Sequence, residues 1–369
     1  MTTLAAVEET GRGPGVERGV LESMGVTDEQ QLAGTKREFR KTIRDARKTI
    51  PTPLEDFNSH VIMKHLAGQL EKAARQQKLN LPQMPVYGSL PVGQLNAMAI
   101  RVPGSGKHLI AFQDGVFGFA NLLTKAVATS FRLKRIFADG EQAEFSWKLR
   151  DFKRSWAKDD EPLRRLGQFL HAYLVFGDAN QADQYFAQAP FHLPAFVLRE
   201  GFELFLFGHE LGHIAAGHLG NAPEAQHMMG AMEVEAYTSN WEMEFEADRI
   251  GMDLAIQAML NNRLDFANSY SGIDMAFSAM EILDLAKSTL VHGEPIPAPA
   301  TESHPRHAVR RAFLRELLRR RLGKKAAKQP IKLGETLEEV LHQMWRRIEP
   351  RFKTLHAEGD RPSPIWSRW

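Results

Sequence analysis

The stretch Phe196–Leu219 constrains the fold more than any other part of this 369-residue chain. It is the most apolar run in the sequence, yet it carries Arg199, Glu200, Glu203, His209, Glu210 and His213, too many ionisable groups for a bilayer-crossing helix. It reads as a helix buried inside a globular body. Phe202, Leu204, Phe205, Leu206, Phe207, Leu211, Ile214 and Ala215 surround the trio His209, Glu210 and His213, and polar groups in such company need a partner. Histidines at i and i+4 project from one helical face about a turn apart, so both imidazoles can reach one metal ion. Glu210, rotated by about 100° from His209, can address a water on that ion.

The chain has no cysteine, which leaves histidines and carboxylates as the metal ligands and removes disulfides and thiol nucleophiles. His218 comes five residues after His213 and points away from the metal on a continuous helix. Glu244 and Asp248 lie on a second helical pattern, and the interval from His213 lets the first helix end near 217–220 and an antiparallel helix return. Glu244 then supplies the third ligand. Asp248, one turn on, accepts the Nδ1 hydrogen of a ligand histidine and fixes its tautomer. Glu246 lies on a different face. Glu242 and Asp253 are alternatives of lower rank, because acids on helices are mostly solvated.

His209-Glu210-Leu211-Gly212-His213 is the HExxH pattern of zinc hydrolases. A metzincin would continue with Gly at 216 and His at 219, where this chain has Ala216 and Leu219. A glutamate from a second helix, followed four residues later by an aspartate, is the gluzincin arrangement. The expectation is one Zn²⁺ per chain on His209, His213 and Glu244, with Glu210 as general base and Asp248 behind a histidine.

Three segments carry a resemblance to a known family. Phe207 to His218 (Phe-Gly-His-Glu-Leu-Gly-His-Ile-Ala-Ala-Gly-His), Asn240-x-x-x-Glu244-x-x-Ala247-Asp248 and Ser303-His304-Pro305-x-x-x-x-Arg310 resemble, in order, the three signatures of the HtpX and CAAX prenyl protease family of zinc peptidases. The likeness covers roughly residues 84–322 and extends to Asn96 and Ala97, similar to the family's edge strand that pairs with extended substrate. It implies a helical catalytic core, with His304 and Arg310 at the active-site rim where a cation or N–H donor supports the oxyanion. His304 also reads as a loop residue capping the helix that follows. Members of that family are often membrane-embedded, whereas no spanning stretch is legible here. A second resemblance, to phage-exclusion proteases of the Lit type, rests on HExxH and a helical body alone.

The fold expected is α+β, mainly α: a zincin-like (gluzincin) catalytic domain with a small antiparallel sheet. Residues 1–34 read as a mobile leader, 35–80 as a helical segment, 81–325 as the metallopeptidase domain, and 326–369 as a C-terminal helix and Trp-rich tail. Strands are expected at 84–87, 96–102 and 108–112, with Gly104-Ser105-Gly106-Lys107 as a hairpin turn. Helices are expected at 116–136, 141–157, 162–176, 195–219, 232–261, 265–291, 304–322 and 335–356.

With 47 Lys+Arg against 45 Asp+Glu, the whole chain has no strong field to draw nucleic acid or membrane. The run 306–328 is locally basic, with ten Lys/Arg against Glu316. It reads as a site for an anionic partner or, more simply, as a solvated amphipathic face. Trp345, Trp366 and Trp369 mark a tail that folds back over the body or binds a partner. No basic stretch followed by an apolar run stands near Met1, so the expected location is the cytoplasm. The function implied is a zinc metalloendopeptidase acting on a peptide or protein; the rival reading is a regulatory or interaction protein on a peptidase scaffold.

Overall fold

The computed structural model describes residues 56–367 except 82, 137–142, 186, 188–189, 222–223, 230–231, 238–240 and 302–304, and between 220 and 240 it gives the backbone alone. The expected leader and the first section of the 35–80 segment lie outside the described residues. Helix α1, Phe57–Gln76, is capped by Asp56, whose Oδ1 accepts the Ser59 N–H at 2.8 Å. Its buried stripe of Met63, Leu66, Ala67, Leu70, Ala73 and Ala74 faces the core.

Strands β1 (Val86–Leu90), β2 (Ala97–Arg101) and β3 (His108–Gln113) form a sheet in the order β1-β3-β2. It is mixed rather than antiparallel: β1 runs parallel to β3, and β2 antiparallel to it. After Leu90 the chain crosses the end of β3, where Leu90 and Val92 carbonyls accept the Asp114 and Gly115 amides, and returns on the far side. That crossing makes β2 an edge. The 104–107 segment is the expected hairpin turn, with Gly104 and Gly106 at positive φ.

Helix α2, Gly115–Thr129, stops seven residues short of its expected end, and Arg132–Ile136 (β4) pairs with Ala143–Ser146 (β5). Here tertiary packing overrides a helical pattern. Phe131 meets Phe145, Trp147 and Phe152 at ring-centroid distances of 5.9, 4.8 and 5.2 Å, which the extended backbone permits. Helices α3 (Leu149–Lys158) and α4 (Glu161–His171) follow, the latter running into a π-turn at Ala172–Phe176 that Gly177 ends at positive φ.

Helix α5, His192–Ala215, is the axis of the molecule, and a short helix α6 spans His218–Asn221. The region expected to open a long helix at 232 instead forms a hairpin, β6 (Glu224–Met229) with β7 (Met232–Tyr237), and α7 covers Trp241–Asn261. Helix α8 spans Phe266–His292. The two helices expected at 304–322 and 335–356 are both present within the span His307–Glu358, labelled α9, as two helices joined across a kink at Gly323, whose φ of +77° and ψ of 156° are non-helical. No described helix is long and apolar enough to cross a membrane.

α5 is buried around most of its circumference by α1, α2, α7, α8 and the sheet. Phe207 lies under the sheet, edge-on to Phe112 at 5.2 Å and Tyr87 at 5.9 Å, two residues before His209. On the other side α5 and α7 meet backbone to backbone. A Cβ on Gly208 would lie 3.0 Å from the Gly251 carbonyl oxygen, one on Gly212 would lie 2.8 Å from that of Ala247, and one on Gly251 would lie 2.7 Å from the His209 nitrogen. Larger residues along this seam would hold the helices apart.

Arg310 and Arg311 are buried and Arg315 is half-buried, whereas most of the basic run is exposed. Arg311 binds Ser278, Glu281 and Glu338, and Arg315 binds Asp274 through Nε at 2.8 Å and Nη2 at 2.6 Å. The stripe that includes these arginines therefore ties α9 to α8 and is not offered whole to an anionic partner. The tail folds back as far as Ser367: Trp366 packs on Tyr173 at 4.8 Å, and its Nε1 donates to the Leu174 carbonyl at 2.9 Å. Trp345 is buried within α9, and Trp369 lies outside the described residues.

Gly251→Val is expected to cost about 1–3 kcal/mol by forcing the seam apart, lowering the thermal unfolding midpoint. Gly68→Ala, on the exposed face of α1 with nothing within 4 Å of the new methyl, is expected to stabilise by roughly 0.5–1 kcal/mol. Parallel thermal melts of both variants check the contrast; equal effects would show that the seam is not tight.

Candidate metal centre

The seam fixes which side chains converge. His209 and His213, one turn apart on α5, bring their Nε2 atoms to 3.1 Å. From α7, Glu244 places Oε2 at 3.7 Å from His209 Nε2 and Oε1 at 3.5 Å from His213 Nε2. All three side chains are buried, and their donor atoms lie within 4.8 Å of one another, so together they could hold a metal ion.

One helical turn beyond Glu244, Asp248 has no exposed surface, and its Oδ1 lies 3.0 Å from His209 Nδ1. The carboxylate takes the Nδ1 hydrogen, which leaves the Nε2 lone pair directed at the centre. Burial, the largest single influence, pushes the His209 imidazole down, but the hydrogen bond to Asp248 together with the Asp248 and Glu244 charges outweighs it and the direction is up.

Arg310 is not at a rim. It enters from the first turns of α9, is 8% exposed, and donates to both Asp248 oxygens, from Nε at 2.8 Å and Nη2 at 2.6 Å. Its Nη1 lies 3.1 Å from Glu244 Oε2, and its guanidinium sits over the Phe277 ring at 5.5 Å. The expectation of an oxyanion donor at Arg310 is therefore corrected: the group is occupied by two carboxylates. Burial pushes the Asp248 carboxyl up, but the Arg310 charge and hydrogen bonds hold it down at about 2.

Glu210 is buried beside the centre, and burial, then the Glu244 charge, raise its carboxyl above the usual range against the pull of His209. The Ala99 amide of β2 bonds to it, so the sheet edge lies against this carboxylate. Ala97 begins β2, and the carbonyl of Asn96 accepts the Gln113 amide at 2.9 Å. Counted as carboxylates, Glu210, Glu244 and Asp248 bring three formal negative charges and Arg310 one positive, a formal balance of minus two that suits a divalent cation. His304 lies outside the described residues.

His218 departs from its expected direction. α5 ends at Ala215, Gly217 takes φ +74°, and the turned chain brings His218 Nδ1 to 2.9 Å from His213 Nδ1. The glycine in a helix-ending position was the signal that the helix would not continue through 218.

The chain matches no protein-family model, no curated protein and no solved structure.

Arg310→Met is expected to destabilise the fold by about 3–5 kcal/mol, because it leaves Asp248 buried without its cation. The wild type carries a pH signature of the same pair. With Asp248 at about 2 when folded and about 4 when unfolded, its stabilisation is complete above pH ~4 and is lost as pH falls through ~2, on the order of 2 kcal/mol. Urea unfolding of the metal-free chain between pH 5 and pH 2, with and without the substitution, checks both; an acid limb that persists unchanged in Arg310→Met would count against the pairing.

Proposed function

We propose that this chain is a zinc-dependent endopeptidase of the gluzincin type, with a zincin-like catalytic core related to the HtpX and CAAX prenyl proteases. The observation that carries the reading is the convergence of two imidazole nitrogens and a buried carboxylate, with Glu210 beside them. Ligand atoms about 2.0–2.1 Å from a tetrahedral Zn²⁺ lie roughly 3.3–3.4 Å apart; here the two nitrogens are 3.1 Å apart, and the carboxylate brings Oε1 to 3.5 Å from His213 Nε2 and Oε2 to 3.7 Å from His209 Nε2. The nitrogen-rich donor set, without thiolate, suits zinc better than calcium or magnesium.

His209, His213 and Glu244 would hold the ion, leaving a fourth position for water or substrate. Bound zinc would supply Lewis acidity to the scissile carbonyl and lower the pKa of the attacking water. The Glu210 carboxylate takes a proton from that water and hands it to the departing amine nitrogen as the C–N bond breaks. Its burial assists the first half of this task, because a carboxylate whose pKa lies above the usual range is the stronger base toward the water's proton. An extended peptide laid along the edge of β2, near Asn96 and Ala97, would pair main chain to main chain and carry its scissile bond past Glu210.

Purified full chain is expected to carry one zinc by elemental analysis, and His209→Ala or His213→Ala to lose it. Glu210→Gln is expected to keep the metal and lose about 10²–10⁴-fold in cleavage rate. Sequencing new N-termini in a lysate treated with wild type or Glu210→Gln tests the activity and names substrates together. Identical cleavage profiles would sink the peptidase reading.

A further inference from the structure

We propose that His218 is a positioning residue for the metal centre, holding His213 in its metal-binding tautomer through a chain Glu246–His218–His213 that leads from the surface to the ion. The inference rests on the reading of His209, His213 and Glu244 as a zinc site, and it adds to that site a residue outside HExxH and outside the Glu244/Asp248 pair.

The geometry orders every proton in the chain. His213 Nε2 faces His209 and Glu244 at the centre, so a metal takes its lone pair there and the hydrogen must sit on Nδ1. That Nδ1 lies 2.9 Å from His218 Nδ1, and two ring nitrogens can share one hydrogen only if one of them accepts. His218 Nδ1 is therefore the acceptor and its own hydrogen is on Nε2. At 3.3 Å from Nε2 stands Glu246 Oε2, and a carboxylate can only accept. A carboxylate at the outer end thus selects the His218 tautomer, and His218 selects that of His213.

The two ligand histidines are braced in parallel ways from one helix. His209 is held directly by Asp248, and His213 is held by Glu246 through an intervening imidazole. Glu246 and Asp248 point to different faces of α7, and His218 spans the extra distance. A histidine just after a helix end usually faces solvent, but this one is 5% exposed while Glu246 is exposed at the outer end. The positive φ of Gly217 makes the reversal possible, and nothing lies within 4 Å of a Cβ built there, so backbone conformation rather than space is what calls for glycine.

The test is the zinc dissociation constant of the full chain, measured by competition with a chromophoric chelator, for wild type, His218→Phe, His218→Asn and Glu246→Ala. Thermal unfolding of the metal-free proteins serves as the folding control. His218→Phe keeps a ring but removes the acceptor and is expected to weaken binding by about 10–100-fold. His218→Asn restores an acceptor oxygen near the Nδ1 position and is expected to recover most of that loss, a rescue that mere ring packing would not give. Glu246→Ala, at an exposed site, is expected to weaken binding by a smaller factor with an unchanged melt. If wild type binds zinc and folded His218→Phe binds it equally well, or folded His218→Asn is no better than His218→Phe, the positioning role is overturned and the metal site stands. If wild type binds no zinc, or Glu244→Ala leaves its affinity unchanged, the metal site itself falls and the positioning role falls with it.

Discussion

The Asp248 carboxylate, with no exposed surface, is the junction on which the centre depends. It belongs to α7, takes the Nδ1 hydrogen of a histidine on α5, and receives two hydrogen bonds from an arginine on α9. A charge at that depth is tolerable only when it is paired and its lone pairs are filled, so three helices must converge before the group can be buried at all. The tight seam at Gly208, Gly212, Ala247 and Gly251 lets two of them do so. Arg310 then closes the third side and neutralises some of the charge of an acidic cluster, leaving the balance that a divalent cation would complete.

What was legible in the sequence follows from the range of the physics involved. The His209/His213 and Glu244/Asp248 pairs repeat at the helical period, and an apolar setting makes such polar groups conspicuous, so the donor triangle could be anticipated. The mainly helical fold with small sheets was legible for the same reason. Features decided by contacts between distant segments were not. Phe131 turns 132–136 into a strand because it meets aromatic residues 14 to 21 positions later, and β1 runs parallel to β3 because of where the chain crosses the sheet end. Arg310 stands in a signature whose sequence looks like a stretch of rim, yet its two carboxylate partners lie some sixty residues away and draw it inside.

The basic run gives a related lesson about charge counted along a sequence. Ten Lys/Arg between 306 and 328 look like an excess, but Arg310, Arg311 and Arg315 face Asp248, Glu281 and Asp274 from other helices and Glu338 from beyond the kink of α9. Arg311 and Arg315 thus supply the cationic side of an ion network between α8 and α9. Burial leaves Asp274 displaced upward even with Arg315 bonded to it, which marks how strongly that interface depends on its cations.

The tail bears on the sheet edge rather than on the histidines. Ser363 and Trp366 donate to the Leu174 carbonyl, and the Ile365 carbonyl accepts from Gln94, just ahead of the strand that runs beside Glu210. The anchorage spans 271 positions of sequence. The helices bearing His209 and Glu244 both end before residue 262, so their chain is complete long before residue 365 is made, whereas the approach to β2 gains this tether only once that residue exists. The strand beside Glu210 is thus fastened in part by a segment made long after it.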